Sequence, residues 1–277
     1  MKTSISKIYV VSIATLFLTS CTSYFSHESR RGVSSSLVDY LYPDGQIPKK
    51  HEETMPHLRL PIKVGLAFVP SQRGGSISLP EAKKSQLLEG VKKKFSGLNY
   101  VKEIKIIPET YMRSSKGFEG VGQIARLYGL DIVALVSYDQ VIFTSEMKSS
   151  VLYWTIVGAY LIKGNQNQAT TFIDTAVFDV NSRKMLFRAP GVSDIKKSST
   201  LMQVSQVSNK TKEMGFKLAM TDMSSNLANE LSRFKEKIKN DKSVKITLRQ
   251  GYGGGGGIQW PLLLILAGLS ILKITKR

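Results

Sequence analysis

The only cysteine of this chain, Cys21, stands at the end of a leader, and that placement limits what the remainder can fold into. Lys2 and Lys7 form a small basic region, Ile8 to Leu18 is mostly apolar, and Leu18-Thr19-Ser20-Cys21 follows. That order marks residues 1–20 as an export signal, removed rather than packed. One cysteine permits no intramolecular disulfide, so stability must come from a core. Without the leader and an atypical tail, roughly 190 residues remain to pack, enough for one domain.

Leu18, Thr19, Ser20 and Cys21 resemble the lipobox of bacterial lipoproteins. The resemblance implies signal-peptidase recognition of Leu18, Thr19 and Ser20, thioether lipidation of Cys21, cleavage before it and N-acylation of the new terminus. A covalent lipid on Cys21 would also remove the only candidate for a catalytic thiol. At about 0.8 kcal/mol per buried CH₂, one acyl chain anchors weakly and several anchor durably. An ordinary secretory leader with a cysteine near its cleavage point is the alternative. Thr22 stands where the usual inner-membrane retention signal has Asp, so the outer membrane is the default by analogy.

The formal charge is +18, and subtracting Lys2, Lys7, Lys273, Lys276 and Arg277 leaves +13 on the middle of the chain. A basic exported protein suits anionic lipid headgroups or acidic polysaccharide. Nucleic acid is not expected, because Lys92-Lys93-Lys94, Lys196-Lys197 and the scatter from Lys235 to Lys245 lack interleaved aromatics for stacking on bases. Residues 21–60 look like a lipidated tether, interrupted by Leu37 to Tyr42, a short turn of helix that could dock on the domain. All three histidines, His27, His51 and His57, fall in this stretch. His51-Glu52-Glu53-Thr54-Met55 lacks the second histidine of a zinc-protease helix, so no metal site is expected.

Residues 61–198 read as a mixed α/β domain. Val64, Leu66, Phe68 and Val69 mark a buried strand. Ser78-Leu79-Pro80-Glu81 offers a capping box, and Leu88, Val91 and Phe95 line one helix face. Val101 to Ile107 is a second strand, Tyr111 to Gly117 a loop, and Val121 to Tyr128 a helix closed by Gly129. Ile132 to Val136 suits a central strand. Val151 to Ile162 is apolar but only 12 residues long, short for a span. Thr170 to Val180 alternates and turns through Asp179-Val180-Asn181-Ser182 into Lys184 to Phe187, a hairpin. Parallel units thus lead into an antiparallel finish. Phe216, Met220, Met223, Leu227, Leu231, Phe234 and Ile238 form one apolar stripe, which makes 199–240 a long amphipathic helix. It can cover its own sheet, pair with another helix, or lie on a membrane with Lys212, Lys217, Lys235, Lys237 and Lys239 nearby.

The strand Val64 to Pro70, Gln123-Ile124-Ala125-Arg126-Leu127-Tyr128-Gly129-Leu130-Asp131-Ile132-Val133, and Phe178 to Leu186 resemble the periplasmic domains of curli-secretion and synthase-activating lipoproteins. That likeness implies binding of protein partners or self-association, not catalysis. Gly117-Phe118-Glu119-Gly120-Val121-Gly122 does not have dinucleotide-binding spacing and no phosphate-loop lysine. Asp131, Asp139, Glu146, Asp174 and Asp179 could supply a carboxylate pair, so an envelope glycan hydrolase is the alternative function. No cofactor is implied beyond the lipid.

Residues 241–257 are a polar and then glycine-rich linker, ending in Gly253-Gly254-Gly255-Gly256-Gly257. Ile258 to Leu272 would be about 22 Å long as a helix, short against a roughly 30 Å hydrocarbon layer. Lys273, Lys276 and Arg277 set a cytoplasmic end. Together, 258–277 read as a transmembrane segment with a basic end. This tail looks like the glycine-glycine C-terminal sorting signal cut by rhombosortase, a rhomboid-type intramembrane protease. With the lipobox, the whole chain resembles the rhombotarget (rhombotail) lipoproteins. That resemblance implies cleavage within or near Gly253 to Gly257 and transfer from the inner membrane to the outer membrane or surface of a Gram-negative cell. Expected partners are the lipoprotein-processing machinery, rhombosortase, membrane lipid, and an envelope protein or a second copy. A glycine hinge before a permanent anchor is the alternative.

Overall fold

The computed structural model describes residues 29–45, 54–71, 78–146, 160–241 and 243–249. In chain order its elements are β1 (Ser29–Ser35), α1 (Leu37–Leu41), β2 (His57–Leu60), β3 (Ile62–Phe68), α2 (Glu81–Phe95), β4 (Val101–Ile106), α3 (Glu109–Ser114), α4 (Gly117–Tyr128), β5 (Ile132–Glu146), β6 (Asn165–Asp179), β7 (Met185–Ser199), α5 (Val204–Asn240) and β8 (Lys245–Leu248). The result is a mixed α/β domain with a long C-terminal amphipathic helix.

The apolar run after Asp131 opens the strand around which the sheet is ordered, β4-β3-β5-β6-β7. The first five residues of β5 pair parallel with β3, which pairs parallel with β4. Beyond them, Tyr138 to Thr144 pair antiparallel with β1 along the same edge. The opposite edge carries β6 and then β7, both antiparallel, with Ile132 opposite Asp179 and Glu146 opposite Asn165. The expected change from parallel to antiparallel pairing falls at β5.

Strand periodicity divides the core. Ile132, Ala134, Val136 and Tyr138 face one layer, while Val133 and Leu135 face the other. On the first side α2 and α5 cover the sheet. Lys83 Nζ lies 3.4 Å from Glu213 and Lys94 Nζ donates to the Ser224 carbonyl at 3.2 Å, so the two helices run parallel. On the second side α1, α3 and α4 cover only the half near Asp131. Gly129, in the left-handed region at φ 67°, ends α4 as anticipated.

The apolar stripe of α5 lies on its own sheet. Phe216, Met220, Met223, Leu227 and Phe234 are buried, and the 37-residue helix runs for about 55 Å, as long as the sheet. Its outer flank meets the free edge of β7. Asp222 accepts a hydrogen bond from the Val192 N–H at 2.9 Å, and Asn226 donates to the Pro190 carbonyl at 2.8 Å. Gly191 permits the approach, since a Cβ there would lie 2.3 Å from the Ala219 carbonyl oxygen.

Several expectations need correction. The stretch read as a tether contributes β1, α1 and β2, because Val33, Ser35, Tyr40, Leu41 and Leu58 are buried. His57 therefore belongs to the folded part, where its Nε2 is 2.8 Å from Thr247 Oγ1. The capping box does not form: Pro80 is the N-cap without a side-chain bond, and Glu81 instead accepts from the Glu109 N–H at 3.0 Å. The loop expected over Tyr111 to Gly117 is mostly helix α3, which buries Met112. The polar linker after Asn240 contains β8, which pairs parallel with β2. Residues 151–159 of the short apolar run lie outside the described residues.

Candidate functional site

The residues assigned to processing, Leu18 to Cys21, Gly253 to Gly257, and Lys273, Lys276 and Arg277, lie outside the described residues. Among the described residues, no helix is long and apolar enough to cross a membrane. The geometry bearing on processing is therefore where the chain enters and leaves the folded part. Ser29, eight positions after Cys21, pairs with Thr144 at one end of β5. At the other end, Arg249 follows β8 and closes on Asp131. Its guanidinium donates to both carboxylate oxygens at 2.6 and 2.7 Å, and its N–H donates to the Leu60 carbonyl at 2.8 Å. Asp131 also accepts from the Lys63 N–H at 2.8 Å. Thirteen strand residues separate Asp131 from Thr144, so the two exits stand about 43 Å apart. We call the Thr144 end the far pole and the Asp131 end the near pole.

Three of the five carboxylates weighed for hydrolysis are engaged by other groups, and Asp139 and Asp174 are diagonal neighbours on one face of the β5–β6 ladder. Asp131 is held by Arg249, and Asp174 by Arg188 at 3.0 Å. Asp179 caps the hairpin turn through Ser182 at 2.6 Å. Asp139 and Glu146 sit opposite Phe172 and Asn165 on β5. No group of three or more His, Cys, Asp or Glu able to hold a metal occurs among the described residues. Gly117 to Gly122 form the first turns of α4, and a Cβ on Gly120 would lie 2.5 Å from Ser115. Close packing thus accounts for that glycine.

Two buried lysines escaped the sequence reading. Lys84 is 2% exposed and ion-paired with Glu109, itself 3% exposed. Its ammonium stands 5.3 Å from the Tyr138 ring centroid and 5.9 Å from that of Phe68. Arg113 donates to the second Glu109 oxygen at 2.7 Å, and that hydrogen bond raises the pKa of its guanidinium. Lys212 lies beneath the distal sheet, where Gln140 donates to Thr171 Oγ1 at 2.6 Å and to the Lys212 carbonyl at 3.0 Å. Burial lowers the Lys212 ammonium pKa, against the raising influence of Glu213. The signal for both was spacing: Lys84-Leu88-Val91-Phe95 and Lys212-Phe216-Met220 each continue an apolar face. On the side where no described helix covers the distal half, Phe172 and its cross-strand partner Val192 are 41% and 54% exposed.

A single mixed-sheet α/β domain with a long C-terminal helix is the class defined by these features. No family model matches the chain, and no curated protein matches it. Among solved structures, the chain is similar to a putative neuraminyllactose-binding hemagglutinin homolog from Helicobacter pylori, at 10% identity and a TM-score of 0.38, covering 71% of this chain and 97% of that one. It is similar to PelC, solved as a dodecamer from Paraburkholderia phytofirmans, at 9% identity and a TM-score of 0.25, covering 71% and 99%. It is also similar to a lipoprotein from Neisseria meningitidis, at 16% identity and a TM-score of 0.24, covering 53% and 96%. At these scores the likenesses say nothing about activity.

Proposed function

We propose that this chain is an exported lipoprotein of the rhombotarget type, acylated on Cys21 and trimmed within Gly253 to Gly257 by rhombosortase. In this reading it passes from the inner membrane to the outer membrane or surface of a Gram-negative envelope. There its α/β domain binds or organises protein partners and catalyses no reaction.

The observation that carries this reading is the separation of the two exits. Eight residues lead from Cys21 to Ser29, a reach of about 28 Å, and nine lead from Arg249 to Ile258, a reach of about 32 Å. With both ends held in one membrane, poles about 43 Å apart keep the long axis close to the bilayer. Loss of the rear segment leaves the domain held only at its far pole. The Arg249–Asp131 latch keeps the folded body attached up to four residues before Gly253, so cutting the glycine run removes no described element.

Intact mass of the mature protein, from cells with and without the processing protease, tests the proposal. The expected product begins at an acylated Cys21 and ends in the glycine run. A product from protease-competent cells that still contains Trp260 overturns the sorting tail. Palmitate incorporation that persists in Cys21→Ser overturns the lipidation. Hydrolysis of envelope glycan that disappears in Asp174→Asn, with folding intact, overturns the non-enzymatic assignment.

A further inference from the structure

We propose that the far pole of the sheet is a contact surface for anionic lipid headgroups, with Arg30, Arg31, Lys196 and Lys197 supplying charge and Leu201 and Met202 the apolar contact. Strand pairing places these groups at one end of the sheet, Arg30 and Lys196 on one face and Arg31 and Lys197 on the other, although they lie far apart in sequence. One cross-strand row reads Arg30, Phe143, Gln168, Lys196, and the next reads Ser29, Thr144, Asn167, Lys197. The Arg30 guanidinium carbon stands 5.2 Å from the Phe143 ring centroid. All four cations are exposed. Immediately after β7, Leu201 is 38% exposed and Met202 56% exposed. Tyr160 and Leu161, just before β6, are 60% and 74% exposed at the same end.

Exposed apolar side chains set among basic ones suit the boundary between headgroups and acyl chains. The long stems of Lys and Arg bury methylenes while the charge stays among phosphates. Among the described residues, Glu146 is the carboxylate at this end. Asp194, two residues before Lys196 on β7, is occupied by Gln168 Nε2 at 2.9 Å and Thr170 Oγ1 at 3.1 Å. Chain connectivity points to the same occupant: Ser29 lies within about 28 Å of Cys21 by chain length. The proposal rests on the lipoprotein reading for the nearness of a bilayer, and on the described side chains for the surface itself.

The test uses the full chain carrying Cys21→Ser, so that acylation plays no part, and Met202→Cys labelled with an environment-sensitive fluorophore. Quenching by nitroxide-labelled lipid is read in phosphatidylcholine vesicles with and without phosphatidylglycerol. Quenching is expected to rise with phosphatidylglycerol. Each charge near an anionic surface is worth about a fivefold change in partition. Converting Arg30, Arg31, Lys196 and Lys197 together to Gln is therefore expected to abolish the rise, with an unchanged melting temperature. Lys196→Gln/Lys197→Gln alone should give an intermediate loss and serves if the fourfold variant is unstable. Equal quenching in both vesicles, none in either, or a rise that survives the substitutions overturns the proposal. Because Cys21 is absent, failure here is separate from failure of palmitate labelling.

Discussion

Replacing Lys84 by Met leaves the Glu109 carboxylate 3% exposed with Arg113 as its remaining cation. Breaking a buried pair by removing one partner costs about 3–5 kcal/mol, because the orphaned charge stays desolvated. Arg113 is 65% exposed, so its own pairing is solvent-screened and offsets only part of that penalty. We expect a loss of about 3 kcal/mol, toward the lower end of the range. The methionine keeps the apolar stem against Phe68 and Tyr138, which holds the packing contribution nearly constant. Replacing both partners, Lys84→Met with Glu109→Leu, removes the orphaned charge. The double variant should recover to within about 1 kcal/mol of the parent, less the hydrogen bond that Arg113 gives up. Urea unfolding of the full chain in mild detergent, followed by far-UV circular dichroism, measures each corner of this cycle. A single variant within 1 kcal/mol of the parent (~1 kcal/mol being the usual effect of a substitution) would refute the reasoning. So would a double variant no more stable than the single one.

Gly191→Ala places a methyl group 2.3 Å from the Ala219 carbonyl oxygen and 2.4 Å from the Met223 nitrogen, both backbone atoms. Destabilisation by about 1–3 kcal/mol is expected, with faster amide exchange in the middle of α5. Arg249→Gln removes the two-pronged bond to Asp131 and should cost about 1–2 kcal/mol locally; exchange of the Lys245 to Arg249 amides should quicken while the sheet stays protected. Burial pushes the Tyr40 phenol above its ordinary 10.0. Its neutral form is favoured in the fold, so its contribution is complete below pH 10 and declines as pH rises beyond that. The stability difference between the parent and Tyr40→Phe should therefore shrink above pH 10, as pH-dependent urea midpoints would show.

Periodicity revealed the elements whose apolar residues repeat. The alternation at Thr171, Ile173, Thr175 and Val177 placed β6, and the stripe from Phe216 to Phe234 marked α5 while leaving open what it packs on, which the structure shows to be its own sheet. It could not reveal β1, whose Ser29-Arg30-Arg31-Gly32 start is exposed and whose burial rests on Val33 and Ser35. β8 was hidden for the same reason: Lys245 to Leu248 is four residues long and held by pairing with β2 and by Arg249, not by a buried face. Helix α3 follows a proline and lacks a side-chain cap, so no start signal preceded it. The leader and tail are read from chemistry local in sequence and lie outside the described residues. The far-pole cluster was not legible there, since registry between four strands assembles it.

On the proposed envelope location, the hydrogen bonds from α5 to the rim of β7 matter most once many copies share one surface. Molecules confined to a layer meet flank to flank, and an open β-rim then acts as a template for strand-to-strand stacking. Here Pro190 has no N–H to offer, its carbonyl is taken by Asn226, and the neighbouring Val192 N–H is taken by Asp222. An incoming strand would find the centre of that rim already bonded, with charged or polar groups at Asp194, Lys196 and Lys197 beyond it. Crowding of copies is therefore disarmed along this flank by one turn of the same helix that completes the core.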